Sequence, residues 1–140
     1  MQAFIQSLTQ SSSIKVLLII IILDTIFGIL RAVKEKKINS AIGIDGIIRK
    51  AGMLLSTVFF RAIDVIVNIN LIGFLPESVK NYIGVDSIGL TFLFVALFII
   101  FEFLSVLKNM IKCKMPIPKK LQAFLEKVLK EFTTELDEKK

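Results

Sequence analysis

Three long apolar segments dominate the chain and restrict what it can fold into. Residues 16–33, 51–75 and 87–107 are each close to the length of about 20 residues that an α-helix needs to cross a bilayer. The whole chain is 54% hydrophobic with a mean hydropathy of +0.75, and most of its charged residues lie outside these segments. The pattern predicts an all-α membrane protein with about three transmembrane helices.

The remaining segments divide the chain into three parts. We predict a short polar N-terminal lead at 1–15, a membrane domain at 16–107, and a cytoplasmic tail at 108–140 that is first basic and then acidic. Within the membrane domain, residues 34–50 are predicted to form a basic loop in which Asp45 caps the second helix, and 76–86 a short linker.

The distribution of charge predicts an orientation. Segment 31–50 holds six basic and two acidic residues, a net charge of +4, and the tail from 108 holds nine lysines against five acids, also +4. Segment 69–86 has one lysine against two acids, a net charge of −1. By the positive-inside rule, the 31–50 segment and the C-terminus are cytoplasmic and the N-terminus is outside.

Several function classes are disfavoured by composition. The chain has one cysteine and no histidine, which excludes an internal disulfide, a thiolate metal cluster and histidine-based catalysis or metal binding. Aromatic residues do not alternate with the basic ones, so nucleic-acid binding is not predicted. We therefore predict no enzyme activity and no cofactor.

Polar side chains inside the apolar segments are the candidate functional residues. Four of them, on the second segment, follow spacings of 4, 3 and 4 and so share one helix face, where Arg61 and Asp64 could pair. Two readings stay open: the polar groups pair within one monomer and determine its packing, or they line an aqueous path or face other subunits. The full set is Asp24, Thr57, Arg61, Asp64, Asn68, Glu102, Ser105 and Asn109.

The second segment is the least stable of the three in lipid. Its ten strongly apolar residues between 51 and 70 contribute roughly −3 to −6 kcal/mol to insertion, whereas Arg61 and Asp64 together cost about 5 to 7 kcal/mol. We therefore expect this helix to need polar partners or a polar cavity.

The tail carries an amphipathic pattern. Its apolar residues recur at steps of three and four, which predicts a helix that lies on the inner membrane surface or packs on other tails. These residues are Leu121, Phe124, Leu125, Val128, Leu129, Phe132 and Leu136.

Two stretches, LDTIFGILRAVKEKKINSAIGIDGIIRK and SVLKNMIKCKMPIPKKL, resemble the toxin-secretion/phage-lysis family of bacteriophage holins. The resemblance covers roughly residues 20–125. It rests on the order and spacing of Asp24-Thr25, Gly28, the basic run 31–37, Ser40, Gly43, Gly46, Arg49-Lys50, Glu102, Ser105, Asn109 and the segment 116–118.

The resemblance implies a homo-oligomer in the bacterial cytoplasmic membrane. Such a protein would form lesions that release a partner, either a cell-wall hydrolase (endolysin) or a large exported toxin. Two other classes fit the residues: a small ion channel or transporter subunit, in which the buried carboxylates guide ions, and a membrane scaffold whose tail recruits a soluble partner.

Overall fold

The computed structural model describes residues 1–36, 40–84, 87–116 and 118–137, and this part of the chain is all-helical, as predicted. The helices in chain order are α1 (Gln2–Gln10), α2 (Ser12–Lys34), α3 (Ser40–Val67), α4 (Glu77–Ile83), α5 (Leu90–Lys112) and α6 (Lys119–Asp137).

Helices α2, α3 and α5 form a bundle in which the first and last are parallel. Arg31 lies beside Asn109, and three residues further along α2 the side chain of Lys34 reaches the carbonyl of Cys113, so α2 and α5 run in the same direction. Helix α3 runs against them, because Lys50 lies beside Glu102 whereas Asp64 lies beside the first residues of α5. The stacked rings of Phe60 and Phe94, 3.9 Å apart, fit the same antiparallel register.

The outer surface of this bundle is apolar. Among the described residues, α2 and α5 are the two helices long and apolar enough to cross a membrane, and only 17% and 22% of their apolar windows are buried. A core helix of a water-soluble protein of this hydropathy would bury most of its side chains. Here Ile19, Ile22 and Ile29 of α2 and Ile100 of α5 are each more than half exposed. The exposed apolar surface is that of a protein surrounded by lipid.

The interior combines an apolar end and a polar middle. Leu17 and Val95 are fully buried in the hydrophobic core, and Leu8 of α1 packs against that core. Further along α2 and α5 the buried residues become polar, with Asp24 at 5% and Glu102 at 1% exposure. The bundle therefore buries the central acids of α2 and α5, while many of the large apolar side chains of these helices lie on its outer surface.

Three segments differ from the sequence prediction. Most of the polar lead is helical as α1. In the predicted 34–50 loop, residues 37–39 lie outside the described residues, but α3 begins at Ser40 and therefore contains Asp45, which is not a cap. The linker contains α4, which ends at Ile83 and is followed by Gly84 with a left-handed φ of 72°. Helix α3 thus includes Gly43 and Gly46 in spite of the low helix propensity of glycine.

The second apolar segment is not one helix as far as Leu75. Helix α3 ends at Val67, and Asn68 adopts a left-handed φ of 54°. The Asn70 side-chain oxygen then accepts hydrogen bonds from the backbone amides of Ile72 and Ile88, which ties the connection to the segment before α5. These local bonds compete with the helix ladder and end it. Helix α3 is also not among the helices apolar enough to count as a membrane span, so the predicted third transmembrane helix is not confirmed.

The predicted tail helix is present as α6. Leu125 is buried at 1% exposure, where α6 contacts α5, and Val128 is half-buried. Leu121 and Phe124 remain 40% and 60% exposed. The side chains of Leu129, Phe132 and Leu136 lie outside the described residues.

Candidate functional site

Four charged side chains meet in the middle of the bundle and form a central charge cluster: Asp24 on α2, Arg49 and Lys50 on α3, and Glu102 on α5. Asp24 and Glu102 each stand at the midpoint of a helix of 23 residues. The Lys50 Nζ atom donates to both carboxylates, at 2.6 Å to Asp24 Oδ2 and 2.7 Å to Glu102 Oε2. Lys50 therefore joins all three helices at one point.

The cluster is electrically balanced. Arg49 is the second cation, with its Nη2 atom 3.7 Å from Glu102 Oε1 and 4.0 Å from Asp24 Oδ2. The Lys50 side chain is 14% exposed, whereas that of Arg49 is 55% exposed, so Arg49 lies at the edge of the cluster. Two carboxylates face two cations, and this balance is what makes four charges tolerable away from water.

A polar chain continues from the cluster toward the C-terminal ends of α2 and α5. The Asn109 side chain donates from Nδ2 to Asp24 Oδ1 at 3.0 Å and accepts at Oδ1 from Arg31 Nη1 at 3.0 Å. Arg31 also lies 3.7 Å from the carboxylate of Glu35, and Lys34 donates to the Cys113 carbonyl. These bonds hold α2 against α5 over about half of their length.

A second polar layer lies near the N-terminal ends of α2 and α5. The Asp64 carboxylate accepts hydrogen bonds from the backbone amides of Leu90 and Thr91, both at 2.9 Å, and from the Thr91 hydroxyl at 2.6 Å. A carboxylate at this place satisfies the free amides of α5 and interacts favourably with its helix dipole. Asp64 thus caps a helix to which it does not belong.

The predicted Arg61–Asp64 pair does not form in the described structure. The Arg61 Nε atom instead donates to the Ser7 hydroxyl at 3.1 Å, which attaches α1 to α3. Arg61, Asp64 and Asn68 line a polar cavity of about 330 Å³ that opens at this end of the bundle. Thr57 is buried and donates to the carbonyl of Met53 one turn earlier.

The eight predicted polar residues therefore separate into two layers. Asp24, Glu102 and Asn109 belong to the middle of the bundle, and Arg61, Asp64 and Asn68 to one end. Thr57 packs between the layers, and Ser105 is half-buried on α5. Their role as an oligomer or pore face stays a prediction.

Sequence reasoning missed the two cations of the cluster by assigning Arg49 and Lys50 to a loop. One signal was present in the sequence. Lys50 lies seven residues before Thr57, so it extends the Thr57–Arg61–Asp64 face by two helical turns. Two carboxylates deep in apolar segments also require cationic partners, and Lys50 is close to the second segment.

The arrangement has the chemistry of ion pairing. Among the described residues no three potential metal-binding side chains come together. The fold and the cluster define a small helical membrane protein with a charged interior and a lipid-facing apolar surface.

Comparison with known proteins identifies the family. The model of the bacteriophage holin family matches residues 4–130, and the chain belongs to that family. It is also 35% identical over 139 residues to the holin-like protein TcdE of Clostridioides difficile, an alignment that covers 99% of this chain and 84% of that protein. No solved structure matches the chain.

Proposed function

We propose that this holin accumulates in the bacterial cytoplasmic membrane, assembles with copies of itself, and opens lesions that release a cell-wall hydrolase or a large toxin. The observation that carries the proposal is the central charge cluster. Asp24, Lys50 and Glu102 form a charged surface that is buried inside the bundle, and we place it near the centre of the bilayer.

The bundle supports three membrane crossings. Because α2 and α5 are parallel, a chain that crosses the membrane in both must return between them, and α3 is the antiparallel segment that connects them. Helix α3 is less apolar than α2 and α5 because it carries charged residues. Two of them, Arg49 and Lys50, are neutralised within the bundle, so they do not prevent a crossing. The return crossing would use the part of α3 level with α2 and α5, about 41–64, rather than 51–75.

The charge distribution supports an N-terminus outside and a C-terminus inside. Although Arg49 and Lys50 belong to the bundle, the sequence from Arg31 to Lys37 still carries four basic residues and one acidic residue. Together with the basic residues after 108, these charges favour the cytoplasmic side for the ends of α2 and α5. The exposed Leu121 and Phe124 of α6 would then face the inner membrane surface.

A lesion follows if the helices exchange partners. In the single bundle the charges of the central cluster satisfy one another, and most of the surface that faces lipid is apolar. In a large assembly, neighbouring copies can replace the lipid contacts while the cluster side chains turn toward water. Hydration then compensates for the lost ion pairs, because charges in water need no partner. The polar interior is what allows the same helices to have both arrangements.

Controlled expression together with a cytoplasmic cell-wall hydrolase tests the function. We expect a delay while protein accumulates, then abrupt loss of culture turbidity that requires both proteins and coincides with collapse of the membrane potential. An ion channel would depolarise cells at once without hydrolase release, and that outcome would reject the holin mechanism. A scaffold would leave the potential intact.

A double variant tests the part assigned to the cluster. Asp24→Asn with Lys50→Met removes one negative and one positive charge, and leaves Glu102 beside Arg49. We expect this protein to insert at the normal level but to lyse cells later or not at all, because less of the interior can be hydrated. Lys80→Met, on helix α4 outside the central charge cluster, is the control and should lyse on time. Lysis by the double variant at the normal time would show that the cluster does not contribute to the lesion.

A further inference from the structure

One exposed face of α3 carries polar and small residues. Asp45, Arg49, Gly52 and Ser56 follow spacings of 4, 3 and 4 and so form a single stripe, called here the α3 outer stripe. The first three are exposed and Ser56 is half-buried. A side chain at Gly52 would meet no atom within 4 Å. The stripe is distinct from the face of Thr57, Arg61 and Asp64, which is directed into the bundle.

The depth of this stripe makes its exposure unfavourable in lipid. Lys50 marks the midpoint of α2 and α5, and Asp45 lies five residues from it, about 7.5 Å along the helix axis. Half of the hydrocarbon core is about 15 Å thick, so the carboxylate lies within it. An ionised aspartate costs about 2.5–3.5 kcal/mol at the centre of a single inserted helix and less toward the interface, so Asp45 is unfavourable in lipid but by less than this maximum.

The described part of the bundle shows no partner for the Asp45 carboxylate. In the part of the chain that the structure describes, Asp45 takes part in no ion pair or hydrogen bond of its side chain. Arg49, one turn further along, is 55% exposed and approaches the acids of the cluster with its Nη2 atom. Its planar guanidinium has further N–H groups for a second carboxylate.

We propose that the α3 outer stripe is the contact surface between two copies of this chain, in which Asp45 of one copy binds Arg49 of the other. The inference rests on the proposed assembly and specifies its contact. The stripe carries both charges of the pair, so two copies related by a twofold axis along the membrane normal complete each other. Copies inserted in the same orientation have parallel α3 helices. Asp45 of one copy and Arg49 of the other are then offset by four residues, about 6 Å along the helix axis, which is within the reach of an arginine side chain.

Gly52 and Ser56 complete the surface. Small residues four apart on a membrane helix let two backbones approach closely, and helix association in lipid depends on such packing. A glycine in the middle of a helix costs about 1 kcal/mol relative to alanine, and inside the bundle Gly52 contacts nothing that requires it. A second α3 helix packed along the stripe accounts for it.

Cysteine cross-linking in native membranes tests the contact. In the full chain with Cys113→Ser, Ser56→Cys and Gly52→Cys place a thiol on the stripe, while Ile47→Cys places one on another side of α3 that is 68% exposed. Ser56→Cys changes a single atom and keeps the packing. We expect oxidation to link the stripe variants into dimers at least fivefold more than the Ile47→Cys variant. Equal cross-linking at all three positions would overturn the proposal.

Substitutions of Asp45 test the ion pair within the same experiment. Asp45→Asn should lower the dimer yield of the Ser56→Cys variant by about fivefold, and Asp45→Glu should restore most of it because the charge returns. An unchanged yield in Asp45→Asn would overturn the assigned pair.

The lysis experiment separates this inference from the proposed function. Dimers at the stripe in a protein that never releases a hydrolase would support the contact and reject the lesion mechanism. Timely lysis without preferred cross-linking at the stripe would reject the contact and leave the mechanism standing.

Discussion

Replacement of Lys50 by methionine is the most direct test of the central charge cluster. The substitution keeps an unbranched apolar side chain but leaves Asp24 and Glu102 with Arg49 as their remaining cation. Loss of one partner from a buried ion pair costs about 3–5 kcal/mol. Because Arg49 is half-exposed and 3.7–4.0 Å away, it offsets only a small part of this cost. We expect a loss of about 3 kcal/mol, a more than hundredfold shift toward the unfolded state.

The double variant Asp24→Asn with Lys50→Met separates charge balance from lost contacts. It contains one substitution more, yet the cluster is neutral again because Glu102 faces Arg49. In addition, Asn109 retains a polar neighbour at position 24. We expect it to be about 1–3 kcal/mol more stable than Lys50→Met alone, the range of coupling between contacting residues.

Thermal unfolding in detergent micelles measures both variants. The chain has no tryptophan, so loss of the far-ultraviolet circular dichroism of its helices on heating is the measure of unfolding. A loss of 3 kcal/mol corresponds to a decrease in Tm on the order of 10 °C for a chain of this size. A change below about 2 °C for Lys50→Met, or a double variant less stable than the single one, would refute the balanced-cluster argument.

Three further predictions concern topology and packing. An impermeant thiol reagent should label Cys113 only after cell lysis, and labelling in intact, non-leaky cells would contradict a cytoplasmic C-terminus. Asp64→Asn should lower the Tm through the weakened cap of α5, by about 1 kcal/mol of stability. Gly89→Ala should be at least as harmful because its Cβ atom would collide with the same carboxylate. An unchanged Tm in both variants would contradict the capping role. Leu125→Asp should release α6 from α5 and make it protease-sensitive in vesicles, whereas Phe124→Asp should not, because Leu125 is the buried residue of the two; equal sensitivity would argue against this docking.

The helical class and the presence of polar residues within the apolar segments could be predicted because each depends on local pattern. Asp24 and Glu102 stand out in any hydropathy analysis, since an acid within an apolar segment needs a partner. The apolar repeat around Leu125 likewise predicts a helix without knowledge of its neighbours. The boundaries of the helices were harder to predict from the sequence. Residues 40–50 have the charges and glycines of a loop, but they form the start of α3, and Lys50 contacts two other helices.

The partners of Arg61 and Asp64 also could not be predicted from local spacing. Arg61 and Asp64 are correctly spaced for an ion pair on one helix, but Asp64 gains three hydrogen bonds by capping α5, and Arg61 binds α1 instead. An exposed i, i+3 pair contributes only a few tenths of a kcal/mol, so a buried helix end in need of acceptors outweighs it.

The amino-acid sequence by itself determined that this chain is a helical membrane protein with acids in its apolar segments and an amphipathic tail, because hydropathy and helical periodicity are properties of neighbouring residues. Only the tertiary structure decided that Lys50 neutralises both central acids and that Asp64 caps a distant helix. Those choices depend on the relative free energies of contacts between residues up to 85 positions apart, and no local pattern contains them.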